Sequence, residues 1–195
     1  MKPALVLLAA GASRRLGEPK ALADIGGRNV LERLLAAGAA CEGPALVIAG
    51  AHADELAAAL PPGVELLHNK NWSAGRTGGV LLAARARADR DLCLAPADVP
   101  LVPRAVFDGL LAAWAAAHSP ARGWLAPRFG DRHGHPVIVG RELIASWKDA
   151  APQRPLRELR RAADPLLAWE TSERAVLDDL DTPSDLRALR ARASS

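Results

Sequence analysis

The segment from Leu8 to Lys20 has the residue types and spacing of a phosphate-binding loop. It follows an apolar run of strand length, Ala4 to Ala9. Gly11 and Gly17 permit the backbone φ values that a tight loop needs. Successive backbone N–H groups can then face an anion, and the Ser13 hydroxyl can add a further donor. The expected chemistry of this segment is therefore anion binding along the backbone.

Two basic side chains of this loop favour a triphosphate as the ligand. Arg15 supplies a planar fork that suits phosphate oxygens, and Lys20 adds a second positive charge. The Walker pattern does not fit, because no hydroxyl residue follows Lys20, so any metal ligand has to come from elsewhere. The dinucleotide fingerprint needs three closely spaced glycines and does not fit either. An ordinary strand-to-helix loop, the remaining alternative, rarely carries an arginine and a lysine at these offsets.

The same segment resembles the signature of nucleotidyltransferases with a molybdopterin-dinucleotide-synthase-like fold. That signature runs Leu-Ala-Ala/Gly-Gly-x-Ser-x-Arg-Leu/Met-Gly-x-x-Lys, and the chain meets every fixed position. The resemblance implies an NTP-binding set composed of Leu8, Ala9, Ala10, Gly11, Ser13, Arg15 and Lys20. Within the family, the Ala9-Ala10 pair is more similar to molybdenum cofactor cytidylyltransferases than to guanylyltransferases. The implied reaction is transfer of CMP from CTP to molybdopterin, with Arg15 and Lys20 as catalytic residues.

Three alternatives to this reaction stay open. The first is guanylyl transfer within the same family. The second is a different phosphorylated acceptor, such as a sugar phosphate, an alditol phosphate or a phospholactate-like acid. The third is a non-catalytic NTP-binding protein that hands a cofactor to a molybdoenzyme.

An acidic residue, Asp98, follows the apolar run 91–95, at the strand end where ligands collect in open α/β sheets. Nucleotidyl transfer requires a hard cation to neutralise phosphate charge, and a carboxylate with open water positions suits Mg²⁺. In the resembled family this Asp-x-Pro is the Mg²⁺ site, which makes Asp98 a catalytic and metal-binding candidate. The alternative is an acidic helix cap ahead of Pro103.

Two further carboxylates, Asp179 and Asp181, lie in a segment that resembles the Asp-Ile-Asp-Thr-Pro-Glu-Asp-Leu ending of the family. A strand near 175–180 would place both on one side by alternation, so either or both are metal-ligand candidates. We expect Asp185 to cap the following helix, with Thr182 as its N-cap. A polar strand-to-helix turn is the alternative.

A polar, glycine-rich stretch from His68 to Gly79 follows the third strand. It resembles the family segment Asn-x-x-Trp-x-x-Gly-x-x-x-Ser, which contacts the base or ribose, and it keeps Asn69, Trp72 and Gly75. Thr77-Gly78-Gly79 departs from the usual serines. Asn69 and Gly75 are nucleotide-binding candidates, and a plain turn is the alternative.

A second loop, Gly134-His135-Pro136-Val137, resembles the family segment that lines the second-substrate pocket. His135 is accordingly an acceptor-binding candidate, with a solvated loop histidine as the alternative. His133 and His135 have no partner at metal-ligand spacing. The family segment Gly-Asp-x-Gly-Ala-Arg, expected near the acceptor phosphate, is absent from 151–157.

Strand-length apolar runs alternate with stretches of helical periodicity, which predicts parallel βαβ construction with helices on both faces. The expected strands are 4–9, 45–49, 65–68, 91–95, 123–127, 137–139 and 175–180, with an apolar piece at 166–169. The expected helices are 30–40, 52–60, 78–88, a helix from 103, 141–149, 156–163 and a helix from 183, with a frayed tail at 190–195. The prediction is a single α/β nucleotidyltransferase domain, 1–195, with a three-layer Rossmann-like fold and a mostly parallel central sheet. Its NTP-binding half is expected at about 1–120 and its acceptor-binding half at about 121–195.

Composition limits the partners. The net charge is +3 without a dense basic stripe or interleaved aromatics, which disfavours nucleic acid. No long apolar run predicts a membrane span, and the start lacks the pattern of a signal peptide, so a cytoplasmic location is expected. The expected partners are an NTP, a molybdopterin-type acceptor and a molybdoenzyme or its chaperone.

Overall fold

The computed structural model describes residues 1–193. Within this range the chain forms strands β1 (Ala4–Ala9), β2 (Asp24–Ile25), β3 (Arg28–Asn29), β4 (Leu46–Ala49), β5 (Glu65–His68), β6 (Leu92–Pro96), β7 (Trp124–Phe129), β8 (Arg132–His133), β9 (Val137–Val139) and β10 (Leu166–Glu170). The α-helices are α1 (Val30–Ala37), α2 (Ala53–Ala59), α3 (Arg76–Ala86), α4 (Arg104–Ala116), α5 (Arg141–Ala145), α6 (Leu156–Arg161) and α7 (Pro183–Ala193).

The central sheet has the strand order β10-β7-β9-β6-β1-β4-β5, with β8 paired to β7. Neighbouring strands run parallel except at β9, which is antiparallel to β6 and to β7, and at β8. β1 lies between β4 and β6, and its register pairs Leu8 with Ile48 on one side and with Pro96 on the other. The predicted mostly parallel sheet is confirmed, and three of its parallel strands end beside the glycine loop.

Alternating side chains of the strands build a separate core on each face of the sheet. Leu5 and Leu7 of β1 belong to the core that also holds buried residues of α1, α2, α4 and α7. Val6, in contrast, packs into the core that holds residues of α3, α5 and α6. This is the predicted three-layer α/β arrangement, and it leaves the carboxyl ends of β1, β4 and β6 free to carry a site.

The last third of the chain differs from the expectation. Instead of a strand at 175–180, Arg174–Leu177 form a short 3₁₀ helix and the following residues belong to no strand. The apolar piece at 166–169 is itself strand β10, which pairs in parallel with β7. Strand alternation therefore cannot be what orients Asp179 and Asp181.

Helix α7 also differs from the expected frayed tail, because residues 190–193 remain helical. The Arg190 Nε donates a hydrogen bond to the Asp24 carbonyl at 2.9 Å. At the other end, Thr182 Oγ1 accepts from the Asp185 N–H at 3.3 Å, and the Asp185 carboxylate accepts from the Thr182 N–H at 2.7 Å. These reciprocal bonds confirm the expected cap. Residues 194 and 195 of the expected tail lie outside the described residues.

No helix within residues 1–193 has the length and apolar character needed to span a membrane. The division into an NTP-binding half and an acceptor-binding half stays a prediction.

One buried carboxylate holds the start of β6 to the helices around it. Asp91 is 6% exposed, and its two oxygens accept from Trp114 Nε1 and from the Arg141 backbone N–H, both at 3.0 Å. Trp114 lies on α4 and Arg141 begins α5, so this side chain ties helices from the two faces to one strand end.

We expect Asp91→Ala to lower the free energy of unfolding by about 2–4 kcal/mol, because it leaves the buried Trp114 Nε1 and the partly buried Arg141 N–H without this acceptor. Urea denaturation followed by circular dichroism measures the change. The matched control is Asp89→Ala, which removes an exposed carboxylate two residues away. Equal stability of the two variants would contradict the role given to Asp91.

Candidate active site

The glycine loop after β1 is closed by its own backbone. The Ser13 carbonyl accepts from the N–H groups of Leu16 and Gly17, at 3.0 and 3.1 Å. The Ser13 hydroxyl oxygen accepts from the Lys20 N–H at 3.1 Å. Gly17 has a φ of +87°, as the tight loop requires, and Ser13 itself is left-handed at +50°. A Cβ at Gly11 would meet no other atom of residues 1–193 within 4 Å, so Gly11 leaves space open in front of the loop.

This loop forms one wall of a cavity of about 460 Å³. The cavity lining includes twelve of the residues singled out from the sequence: Leu8, Ala9, Ala10, Gly11, Ser13, Arg15, Lys20, Asn69, Gly75, Asp98, Asp181 and His135. Asp179 is not among the lining residues. The candidates that come from separate stretches of sequence thus face one space.

Backbone hydrogen bonds between the strand ends hold these separate stretches of the chain together. The Ala10 carbonyl accepts from the Ala51 N–H at 3.2 Å, and the Leu8 carbonyl accepts from the Ala97 N–H at 3.1 Å. Gly50 lies so close to the loop that a Cβ there would sit 2.2 Å from the Ala10 carbonyl oxygen. The glycine loop is therefore fixed against the ends of both neighbouring strands.

Two basic side chains of the loop, Arg15 and Lys20, share one carboxylate. Arg15 forms an ion pair with Asp181 at 2.5 Å, and Lys20 pairs with the other oxygen of Asp181. The Arg15 side chain is 70% exposed, whereas Lys20 is 18% exposed. The hydrogen bond from Lys20 lowers the pKa of Asp181, and the charge of Arg15 acts in the same direction. Asp181 therefore occupies the position that an anionic ligand of these cations would take.

Asp98 lines the cavity, and Asp179 lies within electrostatic range of it. The Asp98 carbonyl accepts from the Leu180 N–H at 2.8 Å, which brings the 178–181 segment to the end of β6. Burial raises the pKa of Asp179, and the negative charges of Asp181 and Asp98 raise it further. Hard carboxylate oxygens that repel one another fit a divalent cation. Residues 1–193 contain no preformed cluster of three ligating side chains, so phosphate oxygens and water would complete the coordination of a cation here.

His135 reaches the cavity from the turn between β8 and β9. Its N–H donates to the Val176 carbonyl at 2.9 Å, and the close approach of that carbonyl to Gly134 leaves no room for a Cβ there. Burial lowers the pKa of His135, so the ring is neutral near pH 7. Its buried Nδ1 has no hydrogen-bond partner among the described residues. The 3₁₀ turn that replaced the expected strand is thus what positions this histidine.

Asn69 follows β5 and is 7% exposed. Its Oδ1 accepts from the Asn71 N–H at 3.2 Å, whereas its buried Nδ2 lacks a partner in residues 1–193. Gly75, at a φ of +140°, ends the loop and allows α3 to begin. Both candidates therefore line the cavity from the segment that joins β5 to α3.

A match over most of the chain decides the family. Residues 5–167 match the MobA-like NTP transferase domain. The chain belongs to this family. This MobA-like domain is accordingly a nucleotidyltransferase that binds an NTP.

Solved structures resemble this MobA-like domain over nearly its full length. Rv0371c from Mycobacterium tuberculosis H37Rv has a TM-score of 0.79 at 23% identity, with 98% of each chain covered. The same protein in complex with manganese has a TM-score of 0.76 at 22% identity, covering 98% of this chain and 99% of the other. Molybdopterin-guanine dinucleotide biosynthesis protein A from Archaeoglobus fulgidus has a TM-score of 0.75 at 18% identity, covering 97% and 98%.

A fourth similar structure is that of an enzyme named for a different acceptor. The 2-C-methyl-D-erythritol 4-phosphate cytidylyltransferase from Thermus thermophilus has a TM-score of 0.69 at 22% identity, with 100% of each chain covered. At these identities the likeness establishes the fold. No curated protein matches this MobA-like domain significantly in sequence.

Several cavity residues of this MobA-like domain were not singled out as candidates from the sequence, namely His52, Arg76, Trp124 and Leu156. His52 and Arg76 directly precede or begin a helix that follows a strand of the sheet, which is a position that sequence reasoning can flag. In the sequence Trp124 and Leu156 look like core residues, and no sequence signal distinguishes them from other apolar residues of the core.

His52 connects the glycine loop to α2. One ring nitrogen, Nε2, lies 3.2 Å from the Ala12 carbonyl, and Nδ1 lies 2.9 Å from the Glu55 carboxylate. Both partners accept, so the doubly protonated ring satisfies both bonds at once. The hydrogen bond with Glu55 raises the pKa of His52 above 6.5.

We expect Glu55→Gln to lower the pKa of His52, measured by NMR titration of the ring. A raised pKa in the folded state stabilises the protein fully below 6.5, and this contribution is lost as the pH rises through the raised value. The stability difference between Glu55→Gln and the unchanged protein should therefore shrink as the pH rises from 6.5 through the raised pKa of His52. Asp54→Asn, an exposed neighbour, is the control. A difference in stability independent of pH would contradict this role.

Proposed function

We propose that this MobA-like domain transfers CMP from CTP to a molybdopterin-type acceptor and releases pyrophosphate. The observation that carries the proposal is that one cavity holds the glycine loop with Arg15 and Lys20, the carboxylate of Asp98 and the ring of His135. A transfer between two bound substrates needs both of them in one space. The Ala9-Ala10 pair supports CTP, and a cytidylyltransferase among the structural neighbours agrees with it.

The reaction needs positioning and charge neutralisation rather than a covalent intermediate. A phosphate oxygen of the acceptor forms a bond to the α-phosphorus of CTP, and the bond from that phosphorus to the bridging oxygen of the β-phosphate breaks. The electron pair leaves with pyrophosphate. Arg15 and Lys20 bind the triphosphate and neutralise the charge that develops on it. In doing so they exchange the carboxylate of Asp181 for phosphate oxygens.

Other residues of the site orient the two substrates. Backbone groups from Leu8 to Gly11 and the Ser13 hydroxyl contact the nucleotide, and Asn69 and Gly75 bound the base or ribose. His135 contacts the acceptor. A Mg²⁺ ion would be held by Asp98 with Asp179 or Asp181, and it would supply a hard positive charge that offsets the negative charge of the phosphates.

Pyrophosphate release measured with CTP, GTP, ATP and UTP tests this proposal. Each nucleotide is paired with molybdopterin, molybdenum-loaded molybdopterin, 2-C-methyl-D-erythritol 4-phosphate and other phosphorylated acceptors. We expect the fastest release with CTP and a molybdopterin. Preference for GTP would replace the cytidylyl assignment, and preference for a sugar or alditol phosphate would replace the acceptor.

The same assay separates an enzyme from a carrier. Nucleotide binding without metal-dependent pyrophosphate release, with every acceptor, would favour a cofactor chaperone that delivers to a molybdoenzyme. The expected dependence on Mg²⁺ is checked by adding EDTA and then restoring activity with Mg²⁺ or Mn²⁺.

A further inference from the structure

Arg76 is a cavity residue without a close acidic partner in residues 1–193. It is the first residue of α3, lines the cavity and has a side chain that is 86% exposed. The nearest acidic atom is Asp98 Oδ2, 4.0 Å from its terminal nitrogen, which is too long for a hydrogen bond. Its guanidinium is therefore free to bind an anion that enters the cavity.

The backbone that carries Arg76 is held in place by the 151–155 segment. A Cβ at Gly75 would lie 2.9 Å from the Pro152 carbonyl oxygen, and one at Gly78 would lie 3.3 Å from the Pro152 side chain. The Thr77 hydroxyl donates a hydrogen bond to the Arg154 carbonyl. The departures from the family pattern at 77–79 and at 151–157 thus pack against each other. They fix the start of α3 while leaving the guanidinium of Arg76 open.

Three other basic residues near the cavity already have partners. Arg15 and Lys20 pair with Asp181 on the nucleotide side. Arg154 pairs with Glu158 at 2.8 Å and stacks 4.4 Å over the ring of Trp147, and it is not among the residues that line the cavity. Arg14, the remaining arginine of the cavity lining, belongs to the glycine loop.

Arg76 lies on the other side, beside Asp98 and near His135. Its positive charge contributes to the lowered pKa of His135, which places the two groups within electrostatic range of each other. The acidic end of β6, the neutral histidine and this free guanidinium therefore surround one part of the cavity.

We infer that Arg76 binds the phosphate monoester of the acceptor and holds it beside the α-phosphate of the nucleotide. This inference rests on the proposed function, and it assigns the acceptor anion to a residue outside the segment that the family resemblance points to. A guanidinium suits this task, because its planar fork binds two phosphate oxygens at once. It also offsets the repulsion between an incoming dianion and the carboxylate of Asp98.

Variants of Arg76 test the inference, because they should weaken binding of the acceptor and leave binding of the NTP nearly unchanged. In Arg76→Ala the KM for the phosphorylated acceptor should rise by about 10- to 100-fold, the value of a charge-assisted hydrogen-bond pair, while the Kd for the NTP changes by less than about twofold. Arg76→Lys keeps the charge and loses the fork, so its KM should lie between the two. The acceptor in these assays is the one that gives the fastest pyrophosphate release.

The matched control is Arg157→Ala, which removes an exposed positive charge from α6 outside the cavity lining. An equal rise in acceptor KM for Arg76→Ala and Arg157→Ala would overturn the inference in favour of general attraction by a basic rim. An unchanged acceptor KM in Arg76→Ala would overturn it and leave the proposed function standing.

Direct binding separates the inference from the proposed function. Phosphorus NMR titration of 2-C-methyl-D-erythritol 4-phosphate and of molybdopterin reports binding without turnover. Binding that requires Arg76, without any pyrophosphate release, would support the phosphate site and reject the transferase proposal. Absence of binding by both phosphate monoesters would reject the site. Equal binding of 2-keto-3-deoxy-manno-octonic acid, a carboxylate, would reject the assignment to phosphate.

Discussion

Lys20→Ala is expected to lower kcat/KM for the NTP by about 10²- to 10³-fold, because a half-buried cation that neutralises the charge on the transferring phosphate is worth several kcal/mol in the transition state. Lys20 is the less exposed of the two loop cations, at 18%, so water replaces it poorly. Its ion pair with Asp181 contributes little to folding, since Arg15 continues to pair with that carboxylate. The free energy of unfolding should therefore fall by no more than about 1 kcal/mol.

Steady-state kinetics and urea denaturation on the same preparation measure the two effects. Lys148→Ala, which removes an exposed lysine outside the cavity, is the control for loss of positive charge. Full turnover in Lys20→Ala would remove Lys20 from the catalytic set. A collapse of stability in parallel with activity would mean that the residue acts on the fold.

The glycine loop could be predicted from the sequence because its determinants are local. Ser13, Gly17 and Lys20 lie within eight positions of one another, and the hydrogen bonds that close the loop join these same residues. The apolar runs before the loop and before Asp98 are equally local signals, and both strands are parallel members of the sheet. A loop of this kind is recognised without knowledge of the rest of the chain.

The contact of Lys20 with Asp181 could not be predicted in the same way. The two residues are 161 positions apart, and the segment of Asp181 belongs to no strand. The short apolar run at 175–177 fits a strand or a buried turn equally well by periodicity. In the structure Ala175 and Val176 are buried in a 3₁₀ turn, and the Val176 carbonyl accepts from the His135 N–H. Tertiary contacts therefore determine the conformation of this segment.

The role of Arg76 could not be predicted from the sequence for a different reason. Its sequence position marks only the start of a helix, and its neighbours Thr77 and Gly78 read as a departure from a family pattern. Within residues 1–193 its ion-pair distance is 4.0 Å, whereas Arg15 and Lys20 are closely paired in the same cavity, and this difference is a property of the folded chain. Departures from a family pattern are more informative when their spatial partners are known, as with 77–79 and Pro152.

Asp98→Asn is expected to abolish most of the metal-dependent transfer, with kcat/KM lower by about 10³-fold, because the change removes the charge and keeps the size of the side chain. Folding should be little affected. The Asp98 group that holds the 178–181 segment is its backbone carbonyl, which asparagine retains. The only ion pair in residues 1–193 that the side chain loses is the 4.0 Å contact with the exposed Arg76.

A measurement of metal affinity separates a ligand from a residue that only shapes the site. Mn²⁺ binding followed by electron paramagnetic resonance should weaken in Asp98→Asn, and nucleotide binding in EDTA should stay unchanged. Asp54→Asn, an exposed carboxylate on α2, controls for non-specific loss of negative charge.

Asp179→Asn should weaken Mn²⁺ binding to a smaller extent if it is the second ligand. Asp181→Asn should instead act on the NTP, because both of its oxygens face Arg15 and Lys20. Unchanged Mn²⁺ affinity in Asp98→Asn would leave Asp98 without a metal role and would place any metal site elsewhere along this edge of the sheet.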